Sequence, residues 1–297
     1  MKPLLKYWND FWFSKAELVP VGIFRIAFGF FLCVIFIAYL PNWGRFYDVN
    51  GIISLQDKSI PHYHNPLSIF YLTDGKIPVI FLWCLGFISA ICFTVGYKTR
   101  IFTIVLYVLY TSMINRNYFI VYGEDNLIRM LLFYSCFAPL CCRFSIDSYL
   151  NKKIKSKTPE IWPIRLIQIN IVLVYLFSAP YKLLYDLSWV NGEAIYWTVT
   201  SNNWSRFPFP DLFYQCGGLL SKMVTYGALL IEFSFPVLVW FRKTRLLALV
   251  LISALHIGIG ILIPNVTFFT TCMLCSFWVF VPEKVPEKFL RKIKLLH

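Results

Sequence analysis

Charge is scarce in this chain. Asp, Glu, Lys and Arg supply 14% of its 297 residues, while 58% are hydrophobic and 19% aromatic. A soluble domain carries roughly 25% charged residues, so polar surface is too limited to cover a water-soluble globule. Long polar stretches are also lacking, which leaves no material for a separate soluble domain. One membrane-embedded unit, residues 1–297, is expected. No cleavable leader is expected: the first apolar run continues from Val21 to Leu40 and ends at Pro41-Asn42-Trp43. That is longer than a signal-peptide core and has no small-residue cleavage site, so it reads as an uncleaved first span. There is no phosphate loop, zincin helix or serine elbow. The nine cysteines are an odd number, mostly inside apolar stretches, and read as small buried hydrophobes rather than a disulfide framework.

What is present is a series of apolar windows of about 20 residues, the length a helix needs to cross a bilayer. Eight spans can be drawn, at residues 20–40, 77–96, 101–115, 127–143, 161–181, 219–241, 246–263 and 265–282. The expectation is an all-α polytopic bundle with interfacial helices. Alternate intervening segments, placed on one side, hold 17 Lys and Arg, and the other side holds fewer than half as many. By the positive-inside rule, the rich side is cytoplasmic, and it contains both termini. The formal net charge of +13 is thereby explained by topology, and nucleic acid is dropped as a partner in favour of the lipid bilayer.

Two outer segments are long. Residues 41–76 mix prolines with Tyr47-Asp48-Val49-Asn50-Gly51, His62 and His64, which suggests loop plus interfacial helix. Two histidines alone define no metal site, and none is expected. Residues 182–218 contain Trp189, Trp197 and Trp204 and should lie along the outer boundary, where tryptophan concentrates. The tail from residue 283 to 297 alternates lysines with Phe289, Leu290 and Ile293 and reads as a basic amphipathic helix on the inner leaflet.

Ionisable groups inside the bilayer are informative because a central charge costs about 2.5–3.5 kcal/mol. His256 lies within the seventh span, eight residues before Pro264, or about 12 Å below the boundary at 1.5 Å per residue. It reads either as a hydrogen-bonded packing histidine or as part of a proton path. Glu232 lies mid-span in the sixth helix and must be protonated or paired. Lys182 ends the fifth span on the outer side, where lysine is disfavoured, and Asp186 and Glu193 follow as candidate partners. Snorkelling to the interface is its bland role; in an apolar pocket it becomes available as a base. Glu124 and Asp125 precede the fourth span and suit its positive N-terminus, with support of an outer-facing site as the alternative. Cys272 and Cys275 have the spacing of a redox pair, but packing inside an apolar span is the simpler role.

Several short motifs, taken in order, resemble a known family. They are Phe24-Arg25-Ile26-Ala27-Phe28-Gly29, Phe93-Thr94-Val95-Gly96-Tyr97-Lys98-Thr99-Arg100, Gly123-Glu124-Asp125-Asn126-Leu127-Ile128-Arg129 with Phe137-Ala138-Pro139, the stretch from Lys182 through Trp189 and Gly192 to Ala194, Glu232-Phe233-Ser234-Phe235-Pro236, and His256. Together they resemble the HTTM (horizontally transferred transmembrane) domain, the membrane part of vitamin K-dependent gamma-carboxylase and its bacterial relatives. The resemblance implies a helical membrane core with an active site facing the lumen or periplasm. It also implies a reduced quinone as cofactor, deprotonated by a lysine that precedes a Trp-x-x-Gly element. That lysine carries over to Lys182, and a late-span histidine to His256.

Two features depart from the carboxylases. Asn115-Arg116-Asn117-Tyr118-Phe119 lacks a histidine found there in the family, and the large lumenal domain that holds the protein substrate is expected to be absent. The reading is a bacterial inner-membrane enzyme acting on a quinol or other lipid-soluble substrate in an outer-facing cavity. Lys182 would be the base, His256 a proton partner, and Asp186 and Glu193 would tune Lys182, with Trp189, Glu124, Asp125 and Glu232 in support. The alternative is a non-catalytic partner for maturation or export of a peptide or lipid.

Overall fold

A computed structural model describes residues 2–48, 50–52, 67–72, 75–201, 204–207 and 218–292. His62 and His64 lie outside the described residues. The described chain is helical, and its one β-bridge joins Lys15 and Glu160. Among the described residues, four helical stretches are long and apolar enough to cross a membrane: Leu18–Tyr47, Lys76–Val95, Trp162–Tyr185 and Arg245–Leu262. At 1.5 Å per residue, the 20 residues of Lys76–Val95 span about 30 Å, the thickness of the hydrocarbon core.

The chain divides into two compact units. The first comprises residues 1–167 and 283–297. It contains α1 (Lys2–Phe13), α2 (Leu18–Tyr39), α3 (Trp43–Tyr47), α4 (Lys76–Val95), α5 (Thr99–Arg116), α6 (Gly123–Ser135), α7 (Ile146–Leu150) and α8 (Lys152–Lys155). Its centre is the packing of α2 on α4, α4 on α5 and α5 on α6. Close helix approach depends on small residues, as is common where lipid provides no drive for helix association. A Cβ added at Gly86 of α4 would lie 2.4 Å from the Phe36 ring of α2.

Arg25 of α2 is fully buried, and its guanidinium closes one end of this unit. Nε donates to the Thr94 carbonyl at 3.3 Å, and Nη1 donates to the carbonyls of Leu140 at 2.8 Å and Arg143 at 3.1 Å. Nη2 donates to the carbonyl of Phe144. The planar fork thus ties the end of α4 to the turn after α6. This explains why α6 stops at Ser135, short of the expected 143: Pro139 can offer no helical N–H, and the following carbonyls turn to Arg25. The chain re-enters helix at Ser145, whose hydroxyl caps α7 by accepting from Ser148 N at 2.9 Å.

The second unit comprises residues 168–282. It holds the greater part of α9 (Trp162–Tyr185), then α10 (Leu187–Val190), α11 (Ala194–Thr200), α12 (Leu219–Leu238), α13 (Arg245–Leu262) and α14 (Thr267–Ser276), which a 3-10 turn extends to Phe280. Helix α12 packs on α11 and α13, and α13 packs on α14. The helix α15 (Lys284–Lys292) follows in the first unit and covers part of the expected basic tail.

Exposure is inverted relative to a soluble protein. Phe30, Phe81, Phe177, Leu230 and Val250 are exposed, while Arg25, Thr103, Thr225, Glu232 and His256 are buried. Apolar side chains outward and polar groups inward is the arrangement that suits hydrocarbon as solvent. The chain is a helical membrane protein.

Candidate functional site

The site is built on one face of α9. Gln168, Tyr175 and Lys182 recur every seven residues, and seven residues are close to two helical turns, so they lie one above another. Gln168 donates to the Val279 carbonyl at 2.5 Å, Tyr175 is 2% exposed, and Lys182 lies in the last turn. Helix α12 turns a matching polar row inward: Ser221, Thr225 and Glu232 are all buried.

At the C-terminal end of α9, Lys182 Nζ lies 2.6 Å from Glu232 Oε1 and 2.7 Å from Oε2. Both carboxylate oxygens therefore accept from one ammonium. The Glu232 side chain is 7% exposed and that of Lys182 25%. The Trp189 ring covers the ammonium, with Nζ 4.4 Å from its centroid, a distance at which a cation is attracted to the indole face. The pairing resolves the cost of placing Glu232 mid-helix, since each charge neutralises the other.

Trp189 is held there by local structure. Asp186 ends α9 and starts α10, its Oδ1 accepting from Ser188 N at 2.9 Å and from Ser188 Oγ at 2.7 Å. Past α10, Gly192 N donates to the Trp189 carbonyl and Glu193 N to that of Ser188, the paired bonds of a Schellman turn. Gly192 sits at φ 76°, and a Cβ there would lie 2.7 Å from Lys222 Cγ, so only glycine fits. Side chains of α12 dock the turn: Ser221 Oγ donates to the Gly192 carbonyl at 3.0 Å and Tyr226 Oη to that of Val190 at 2.8 Å.

About 10 Å further along α9, a second polar pair is enclosed by aromatic rings. Tyr175 Oη is 2.6 Å from His256 Nε2, and His256 is 3% exposed. Phe235, three residues after Glu232, has its ring 5.0 Å from that of Tyr175 and links the two levels. The Phe269 and Phe277 rings stand 5.8 and 5.7 Å from the imidazole. His256 Nδ1 is buried without a hydrogen-bond partner. In either ring tautomer this leaves a buried polar nitrogen unmet, at a cost of about 1–3 kcal/mol.

The structure thus brings Lys182, Trp189 and Glu232 together, and places His256 on the same inward face through Tyr175. Asp186 and Glu193, the expected partners of Lys182, are exposed and engaged elsewhere. Asp186 caps α10, and Glu193 Oε2 accepts from Trp197 Nε1 at 3.3 Å. Glu124 and Asp125 belong to the first unit. Asp125 accepts from Tyr110 Oη at 2.6 Å and from Tyr122 N at 2.8 Å, closing the start of α6. No disulfide joins Cys272 and Cys275. Sequence reasoning missed Tyr175; the seven-residue spacing to Lys182 is the signal that could have found it.

The HTTM domain family model matches residues 13–284. No solved structure matches the chain.

Proposed function

The chain belongs to the HTTM domain family, and from that premise we propose a multi-pass enzyme of the bacterial inner membrane. In this reading it resembles the vitamin K-dependent gamma-carboxylases in chemistry and acts on a quinol or other lipid-soluble substrate, with Lys182 as base. The observation that carries the reading is the part-buried contact of Lys182 with both oxygens of Glu232 beneath Trp189. Proton transfer from Lys182 Nζ to Glu232 along either contact leaves a neutral amine and a carboxylic acid. The amine then takes the proton of a weakly acidic substrate hydroxyl. The ammonium so formed offsets the charge left on the substrate oxygen.

The residues fit such a substrate. Trp189 offers a flat face to a ring, and the unmet His256 Nδ1 offers a hydrogen bond in an aromatic enclosure. His256 serves as proton partner or orienting group, and Tyr175 holds its Nε2. A quinol would supply the acidic hydroxyl and an electron-rich ring. The family match across 13–284 supports reading the chain as one HTTM-like domain. The charge count supports eight crossings with cytoplasmic termini and a site opening to the periplasm, the four shorter or more polar expected spans corresponding to α5, α6, α12 and α14.

The bidentate pair also favours a second reading, in which Lys182 and Glu232 are a neutralised tie and the protein is a non-catalytic partner for a peptide or lipid. Lys182→Arg separates the two, because arginine keeps its charge but cannot act as a base. The enzyme reading predicts that Lys182→Arg and Lys182→Met both abolish cellular function at normal protein levels. Retention of function by Lys182→Arg would assign the lysine a charge role only.

A further inference from the structure

The first unit contains a cavity of about 640 Å³ where the chain leaves α4 and passes from Cys142 to Lys155. Val95, Phe144 and Tyr149 form apolar walls, and Arg143, Lys152 and Lys155 bring three cations to it. Among the described residues, no acidic side chain lines it. The carboxylate nearest in sequence, Asp147, is committed to Lys98 N at 2.8 Å, Thr99 N at 2.9 Å and Thr99 Oγ1 at 2.7 Å. Lys152 and Lys155 are exposed and have no acidic partner among the described residues. The floor is held in place, because Arg25 binds the carbonyls of Arg143 and Phe144 and Phe144 occupies the left-handed region at φ 52°.

The occupant must satisfy both wall and rim. A small anion would neutralise the cations but leave the apolar wall bare, and a neutral hydrocarbon would do the reverse. Tyr149 is 87% exposed and Leu150 70%, immediately beside the lysines of α8. Exposed apolar side chains next to unpaired cations belong at the boundary between headgroups and hydrocarbon. We propose that this cavity binds the phosphate head and first acyl carbons of an anionic phospholipid, with Arg143, Lys152 and Lys155 on the phosphate and Val95, Phe144 and Tyr149 on the chain. The site is separate from the Lys182–Glu232 pair and does not depend on the reaction assigned there.

The test uses the full chain, delipidated in non-ionic detergent. Lipid binding is read by native mass spectrometry and by thermal shift, since a ligand of the folded state stabilises it by mass action. Phosphatidylglycerol, phosphatidylcholine with the same acyl chains, and inorganic phosphate are the probes. Phosphatidylglycerol should bind at least tenfold more tightly than phosphatidylcholine. Lys152→Gln with Lys155→Gln should weaken it roughly 25-fold, about fivefold for each charge removed, and leave phosphatidylcholine unchanged. The paired control Arg242→Gln with Lys243→Gln, at the turn before α13, should stay within about twofold of wild type. Equal binding of the two lipids, an unaffected lysine variant, or an equal loss in the control would overturn the proposal. So would displacement of phosphatidylglycerol by millimolar phosphate, which would mark a free-anion site. Should the paired variant fail to fold, Lys152→Gln and Lys155→Gln taken singly read the same fivefold step.

Discussion

Separating Lys182 from Glu232 should have unequal consequences on the two sides. The Glu232 side chain is 7% exposed and that of Lys182 25%. Lys182→Met therefore strands a carboxyl in a nearly dry site, at a cost of about 3 kcal/mol, the lower end for breaking a buried ion pair. Glu232→Leu strands an ammonium that can still reach water by snorkelling, and should cost about 1–2 kcal/mol. Lys182→Met with Glu232→Leu removes both charges and should lie within about 1 kcal/mol of wild type, since apolar replacement of a buried pair is often near neutral. The double-mutant cycle then yields a coupling energy of about 3 kcal/mol or more. Thermal denaturation in detergent, followed by size-exclusion of the surviving monomer, is a suitable assay. A 3 kcal/mol loss corresponds to a fall of about 6 °C for a chain of this size. If the single effects simply add in the double variant, within about 0.3 kcal/mol, the two side chains do not interact and the site as described is wrong.

Tyr175→Phe removes the hydroxyl bound to His256 Nε2 and should cost about 1–3 kcal/mol; Tyr175→Phe with His256→Leu should recover most of it, as read by the same thermal assay. Gly192→Ala forces a Cβ into the left-handed region and against Lys222. It should cost about 1–2 kcal/mol, with faster amide exchange confined to residues 187–200. Arg25→Lys keeps the charge but cannot serve the carbonyls held by the guanidinium fork, so the yield of monodisperse protein should fall sharply, whereas a surface change such as Lys153→Gln should leave it unchanged.

Much of the helical layout is legible because an apolar run of span length admits few alternatives: Leu18–Tyr39 and Lys76–Val95 fall within about two residues of where the sequence places them. The end of α6 was only partly legible: Pro139 marks a break within the apolar run, but the turn that follows also depends on a guanidinium more than a hundred residues away in the chain. Lys182 stood out as the one lysine ending a span on the outer side. Its partner did not, since Asp186 and Glu193 are near in sequence but Glu232 is near in space. That pairing depends on which faces of α9 and α12 meet. Asp186 followed two residues later by Ser188 is a local capping signal, and heeding it would have removed Asp186 from the list of partners.

The central claim is that Lys182 and its surroundings hold a lipid-soluble substrate with an acidic hydroxyl. Mass spectrometry of what co-purifies with the wild-type chain and with Lys182→Met, at matched protein levels, tests it most directly. The account predicts a quinone or similar small lipid retained by the wild type and absent from the variant. A peptide retained by both, with no such lipid in either, would contradict it.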